Sequence, residues 1–272
     1  MAAGASLSGN SLKLRTLSAL VLAPIAIAAI WFGSPWLPLV AAATGTGMAW
    51  EWARLCGGGT LGDTGWAMIG AVCIAVVSGA AIPGTPALSA PPIASLVVLA
   101  FARIERRRDA LWLALGTLWI SLPCVLLLWL AEHGGRLLLL WMFAVVWATD
   151  IGAYAVGRLV GGPLLAPRWS PRKTWAGLAG GACCAALAGW GTAGILGLSS
   201  AVTLVLLSAG LAIVEQFGDL AESVAKRRFG VKDSSGLIPG HGGLLDRLDG
   251  LLAVVPAVAL LSLIGDRSVL TW

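Results

Sequence analysis

The chain has 272 residues, of which 58% are hydrophobic and only 11% charged, and its formal net charge is +5. A soluble domain carries about 25% charged residues, so this composition excludes a soluble globule. It points to helices that cross a membrane, each satisfying its own backbone hydrogen bonds in lipid. The five cysteines, Cys56, Cys73, Cys124, Cys183 and Cys184, lie in or beside apolar segments without CxxC spacing. They read as small buried hydrophobes, neither a disulfide framework nor a metal site.

Residues 1–16 are rich in Ser, Ala and Gly and place Lys13 and Arg15 before an apolar run. The run is long and ends in no small-residue cleavage site, so an uncleaved first membrane helix is expected rather than a signal peptide. Apolar runs predict helices over 17–33, 37–53, 66–82, 93–104, 111–131, 137–157, 175–197, 200–217 and 250–265. Residues 83–92, rich in proline and poor in charge, read as a loop. With nine spans and a cytoplasmic N-terminus, 16 of the 18 basic residues fall on the inner side, and only Arg136 and Arg267 fall outside. Such a bias is what the positive-inside rule demands. The basic excess is therefore topology, suited to an anionic lipid surface, and implies no nucleic-acid partner. The expected fold is an all-α polytopic integral membrane protein of about nine transmembrane helices. It forms one domain over 1–272, with a helical scaffold in 1–110 and the catalytic half in 111–272.

Charge concentrates in two places in the second half. At the end of the predicted sixth helix stand Asp150 and Tyr154, at i, i+4, followed by a basic loop with Arg158, Arg168, Ser170, Arg172, Lys173 and Thr174. At the end of the eighth, Glu215, Asp219, Glu222, Ser223 and Lys226 follow helical spacing and form one polar stripe. An acidic stripe entering a membrane must face a cavity, a metal or a cationic partner. Arg227, Lys232 and Asp233 follow, then a loop with Gly236, Pro239, Gly240, His241, Gly242 and Gly243, and finally Asp246, Arg247 and Asp249 before the last apolar run. Glycines beside His241 let the backbone approach a ligand closely. Carboxylates together with lysines and arginines suit a hard divalent cation and phosphate groups. They point to phosphoryl or nucleotidyl transfer, and the absence of a Walker A sequence excludes an ordinary P-loop. A proton- or ion-coupled transporter using Asp150, Glu215 and Asp219 is the alternative from a different class.

The ungapped run SVAKRRFGVKDSSGLIPGHGGLLDRLD, Ser223 to Asp249, resembles the signature of the phosphatidate cytidylyltransferase (CDP-diacylglycerol synthase) family. A second run, DIGAYAVGRLVGGPLLAPRWSPRKTWAG from Asp150 to Gly177, resembles that family's D-x-x-A-Y-x-x-G-[RK] and S-P-x-K-T-W stretch, and EWARL at Glu51–Leu55 is a weaker third match. Departures fall at Ala225, Gly162, Ala176 and Ser235–Gly236. The change at Ala176 bears on a polar role for that position alone, because the acids and bases of the signature are retained.

The resemblance implies that CTP and phosphatidic acid react to give CDP-diacylglycerol and pyrophosphate. A CTP-dependent enzyme acting on another lipid is the nearest alternative. The resemblance further implies Mg²⁺ dependence, with a second cation plausible nearby, and a homodimer. The site is expected on the cytoplasmic face, where CTP is, and compactness without organelle targeting points to a bacterial inner membrane. On this reading Asp219, Asp246 and Asp249 ligate Mg²⁺. Lys226, Arg227 and Lys232 hold CTP phosphates or the leaving pyrophosphate, and Ser223 and Asp233 orient them. Arg247 touches substrate phosphate or pairs with an aspartate. His241, Gly242 and Gly243 contact nucleotide or pyrophosphate, and Ser170, Lys173 and Thr174 complete a phosphate pocket beside Asp150 and Tyr154.

Overall fold

The computed structural model describes residues 18, 20–82, 84–238, 240, 242–265 and 268–271. Its helices are α1 (Leu20–Phe32), α2 (Trp36–Cys56), α3 (Asp63–Ala81), α4 (Ala90–Ile104), α5 (Ala110–Val160), α6 (Trp175–Leu196), α7 (Ala201–Arg228) and α8 (Leu245–Ile264). Among the described residues, six helical segments are long and apolar enough to cross a membrane: α3, α4 with its preceding turn from Thr85, α5, α6, α7 and α8. The protein is thus an all-helical integral membrane protein.

The expected spans align with these helices, and the differences are local. The 51 residues of α5 are interrupted at Gly135, whose φ of 73° and ψ of 175° lie outside helical space. That glycine falls between the expected helices 111–131 and 137–157, and its missing side chain permits the conformation. The segment α7 runs to Arg228, past the predicted end at 217, because its polar residues continue on one helical face and not as a loop. The start of α8 moves back to Leu245, which places Asp246 in its first turn, where the helix dipole favours an acid. Within the basic loop the chain forms a small antiparallel hairpin that hydropathy did not predict, β1 (Leu164–Ala166) with β2 (Ser170–Thr174). Trp169 N donates to Ala166 O at 3.1 Å and closes its turn. Strands this short carry too little alternation to read from sequence.

Contacts divide the chain into two compact units, each discontinuous in sequence. The first takes the chain to Val125 together with Phe229–Leu248. In it α3 packs between α2 and α4. Trp52 Nε1 donates to the Trp112 carbonyl at 2.8 Å, and a Cβ at Gly116 would overlap the Trp52 indole. The side chain of Trp112 also meets Phe229 edge to face, with centroids 5.7 Å apart. Thr64 at the start of α3 donates to Glu105 beyond α4.

The second unit takes Leu126–Arg228 and Asp249–Trp272. Small residues let its helices approach. On α6, Gly177, Gly180 and Gly181 lie against Gly157, Val156 and Thr149 of α5, respectively. Further along α6, a Cβ at Gly189 would sit 2.8 Å from the Leu204 carbonyl of α7. Lipid offers no hydrophobic drive for such contacts, so close van der Waals approach must supply it. Trp141 Nε1 donates to Ser208 Oγ at 3.1 Å, and that hydroxyl donates on to Leu204 O at 2.7 Å.

The contrast between two glycines of α6 gives a test. Gly189→Leu overpacks the α6–α7 contact and should destabilise the detergent-purified protein by about 1–3 kcal/mol. Gly191→Leu, at a position where an added Cβ meets nothing within 4 Å, should leave the unfolding temperature near wild type. Equal shifts for both variants in tryptophan-fluorescence melts would remove the packing role of Gly189.

Candidate active site

The carboxylates of the second unit converge because two glycines let α7 and α8 touch. A Cβ at Gly218 would lie 2.8 Å from the Asp249 carbonyl and 2.7 Å from Ala253 Cβ. One at Gly250 would lie 2.6 Å from Glu215 Cγ. No side chain separates the backbones, so the acids on either side face one another. Asp219, Glu222 and Asp249 each offer a carboxylate oxygen within 4.8 Å of the others.

The polar stripe predicted on α7 is real and turned inward. Glu215 and Glu222 are each 2% exposed, whereas Phe217 on the opposite face is 67% exposed. A helix that buries its acids and exposes its phenylalanine suits lipid outside and a polar interior. Glu215 Oε2 accepts from Gln216 Nε2 at 2.8 Å. Asp150, from the last part of α5, lies within electrostatic range of both Glu215 and Asp249. Two ammonium groups answer these acids. Lys173 from β2 pairs with Asp219, and Lys226 Nζ reaches Glu222 Oε2 at 2.6 Å one helical turn away. Asp150, Glu215, Asp219, Glu222 and Asp249 with Lys173 and Lys226 thus form one acidic group carrying an excess of carboxylates.

The hairpin explains how Lys173 gets there. After β2, Thr174 caps α6, its Oγ1 accepting from Gly177 N at 3.0 Å. That bond satisfies one of the amides left open at a helix start and fixes the chain direction beside Lys173. Ser170 opens β2, paired with Ala166. Arg227 is exposed and its Nε donates to the Trp169 carbonyl at 3.4 Å. Tyr154 is exposed, with its hydroxyl accepting from Arg158 Nη1 at 3.0 Å. Ser223 stands half-buried on the α7 polar face.

The remaining predicted residues belong to the first unit. Asp246 Oδ2 accepts from Ser234 N at 3.0 Å, Ser234 Oγ at 3.0 Å and Gly243 N at 2.8 Å. Gly242 has a φ of 85° and forms an isolated bridge with Ile238, whose N–H donates to Gly242 O at 2.8 Å. Gly243 is buried, while Lys232, Asp233 and Arg247 are exposed. Pro239 and His241 lie outside the described residues.

Two acids were not picked out as site residues by sequence reasoning. Glu222 stood on the predicted stripe but was not singled out as a ligand. Glu51 stood in the EWARL match. It is fully buried, and its carboxylate accepts from the Leu244 and Leu245 amides at 2.8 Å each, from Ser235 Oγ at 2.5 Å and from Ser234 Oγ at 3.2 Å. The signal available for both was an acid inside an apolar chain.

The model of the cytidylyltransferase family matches residues 13–264. A phosphatidate cytidylyltransferase of Brucella suis is 37% identical over 263 residues, covering 94% of each chain. One from Pseudomonas aeruginosa is 37% identical over 265 residues, covering 92% of this chain and 96% of the relative. A third, from Haemophilus influenzae, is 44% identical over 129 residues, covering 46% of this chain and 45% of the relative. The chain belongs to the cytidylyltransferase family.

Proposed function

We propose that this member of the cytidylyltransferase family transfers CMP from CTP to phosphatidic acid, releasing pyrophosphate and forming CDP-diacylglycerol for phospholipid synthesis. The observation that carries the reading is end-to-end similarity to phosphatidate cytidylyltransferases, joined to an acidic cluster with two lysines inside a membrane protein. A phosphate oxygen of phosphatidic acid attacks the α-phosphorus of CTP. The bond from that phosphorus to the bridging oxygen of the β-phosphate breaks, and the electron pair leaves with pyrophosphate. The lipid phosphate is already anionic, so no strong general base is required. The difficulty is mutual repulsion of two anions, and positive charge must relieve it.

The donor set fits a hard divalent cation, since Asp219, Glu222 and Asp249 supply oxygen ligands only. These three would hold Mg²⁺, which when bound neutralises phosphate charge and polarises the α-phosphoryl group. Asp246 is assigned to the loop it hydrogen-bonds. Lys173 and Lys226 balance the acids at rest and turn to substrate phosphates during the reaction. Arg227 and Lys232 would add phosphate contacts, Arg247 would touch substrate phosphate or pair with an aspartate, and Ser223 and Asp233 would orient the phosphate-binding groups. Ser170 and Thr174 shape the wall that carries Lys173. Gly242, Gly243 and His241 are assigned to nucleotide or pyrophosphate. The basic residues of the inner-side segments favour nine crossings with the N-terminus and the site facing the cytoplasm of a bacterial inner membrane. A homodimer is the assembly this reading expects.

Purified protein in mixed micelles with phosphatidic acid and labelled CTP should yield a lipid-soluble CDP product. Chelation by EDTA should stop it, and added Mg²⁺ should restore it. Turnover that persists in EDTA removes the metal, and no product from folded protein removes the activity. Asp249→Asn and Glu222→Gln should each lower kcat by roughly 100-fold or more, the order seen when a charge-stabilising group is lost. Lys173→Met, by freeing Asp219, should tighten Mn²⁺ binding measured by electron paramagnetic resonance while lowering turnover. Unchanged Mn²⁺ affinity would place Asp219 outside the ligand set.

A further inference from the structure

Glu51 is an acid of the α2 interior with no exposed surface, and every hydrogen bond to it given above comes from one segment, residues 234–245. Oε1 accepts from Ser235 Oγ and Leu244 N, and Oε2 accepts from Ser234 Oγ and Leu245 N. The two amides stand at the start of α8, where N–H groups lack helical partners and favour negative charge. Neighbouring residues are cut to fit. A Cβ at Gly243 would lie 2.7 Å from Glu51 Oε1 and 2.9 Å from Oε2, and one at Gly47, a turn before Glu51, would meet Leu244 Cδ2 at 3.1 Å. The Ser234 hydroxyl also reaches Asp246 Oδ2 at 3.0 Å. Its single proton is shared by two carboxylates and ties both to the loop.

From this geometry we propose that Glu51 is a positioning residue for nucleotidyl transfer: its carboxylate fixes Ser234, Ser235, Leu244 and Leu245, at the two ends of the glycine-rich loop, in their working conformation before substrate binds. The proposal rests on the cytidylyltransferase reading, in which this loop serves the substrate phosphates. Glu51 itself touches no substrate. A loop with Gly236, Gly240, Gly242 and Gly243 has much conformational freedom to lose, and a loop held in advance spares the reaction that ordering. The carboxylate is required as such. Backbone N–H groups donate to both of its oxygens, so an amide in its place would set its own NH₂ against Leu244 N–H or Leu245 N–H in either orientation. A serine can turn its hydroxyl away, but a helix-start amide cannot.

In detergent-purified full-length protein, Glu51→Gln should speed hydrogen exchange in the 234–245 segment by about tenfold or more. Peptides from α3 and α4 should exchange at wild-type rates. Turnover of CTP and phosphatidic acid should fall by a comparable factor, with Glu51→Asp recovering part of it. The double variant Glu51→Gln/Ser235→Ala should lose no more than Glu51→Gln alone, because both act through one loop. If Glu51→Gln does not insert, Ser234→Ala and Ser235→Ala read the same network from the loop side and should each raise exchange in 234–245. Unchanged exchange there, exchange rising equally in α3 and α4, or fully additive losses in the double variant would each overturn the proposal. Exchange is read without substrates, so a wild-type protein that makes no CDP-lipid would count against the proposed activity and leave the positioning test standing.

Discussion

Negative charge inside an apolar protein is the constraint on which this structure turns. A buried carboxylate in a membrane span is costly unless it is paired, hydrogen-bonded or metal-bound. Among the described residues, Lys173 pairs with Asp219 and Lys226 with Glu222. Asp219, Glu222 and Asp249 bring carboxylate oxygens within 4.8 Å of one another, a donor type that hard divalent cations favour. Even the hairpin follows from this need, because it delivers Lys173 to Asp219 from outside the helices.

The glycines are the other half of that constraint. Carboxylates on α7 and α8 act together only if the backbones approach closely, and Gly218 and Gly250 remove the side chains that would hold them apart. The same device recurs where α6 meets α5 and α7, through Gly157, Gly177, Gly181 and Gly189. In water such positions would read as weak points of a helix. In lipid they are the packing surface. Rigid packing here keeps the acids in place despite their mutual repulsion.

How much of this was legible depended on the kind of interaction. Hydropathy located most helix bounds to within a few residues, the end of α7 being the exception, since crossing lipid demands a long apolar run wherever it occurs. Helical spacing revealed the stripe of Glu215, Asp219, Glu222, Ser223 and Lys226, because those residues are neighbours in sequence and share one face. It did not reveal that Asp246 accepts hydrogen bonds from Ser234 and Gly243 while Asp249, one turn later, lies near Asp219 and Glu222. Spacing places both aspartates on one face but does not say which neighbours they find. Glu51 shows the limit most clearly, since its partners lie 183 to 194 residues away. An acid in an apolar helix announces that it has a purpose, and only the fold shows which one.

The two groups of acids therefore do different work with the same chemistry. In the second unit, Asp219 and Glu222 are paired with lysine side chains. In the first unit, Glu51 and Asp246 accept hydrogen bonds from serine hydroxyls and backbone amides. A carboxylate hydrogen-bonded to backbone amides is a fixed part of the architecture, because those amides have no rotamer by which to leave. One paired with a long lysine side chain remains exchangeable, because the ammonium can swing to an incoming phosphate and leave the oxygen to a metal. The partner, not the acid, decides whether the charge holds the fold or does the chemistry.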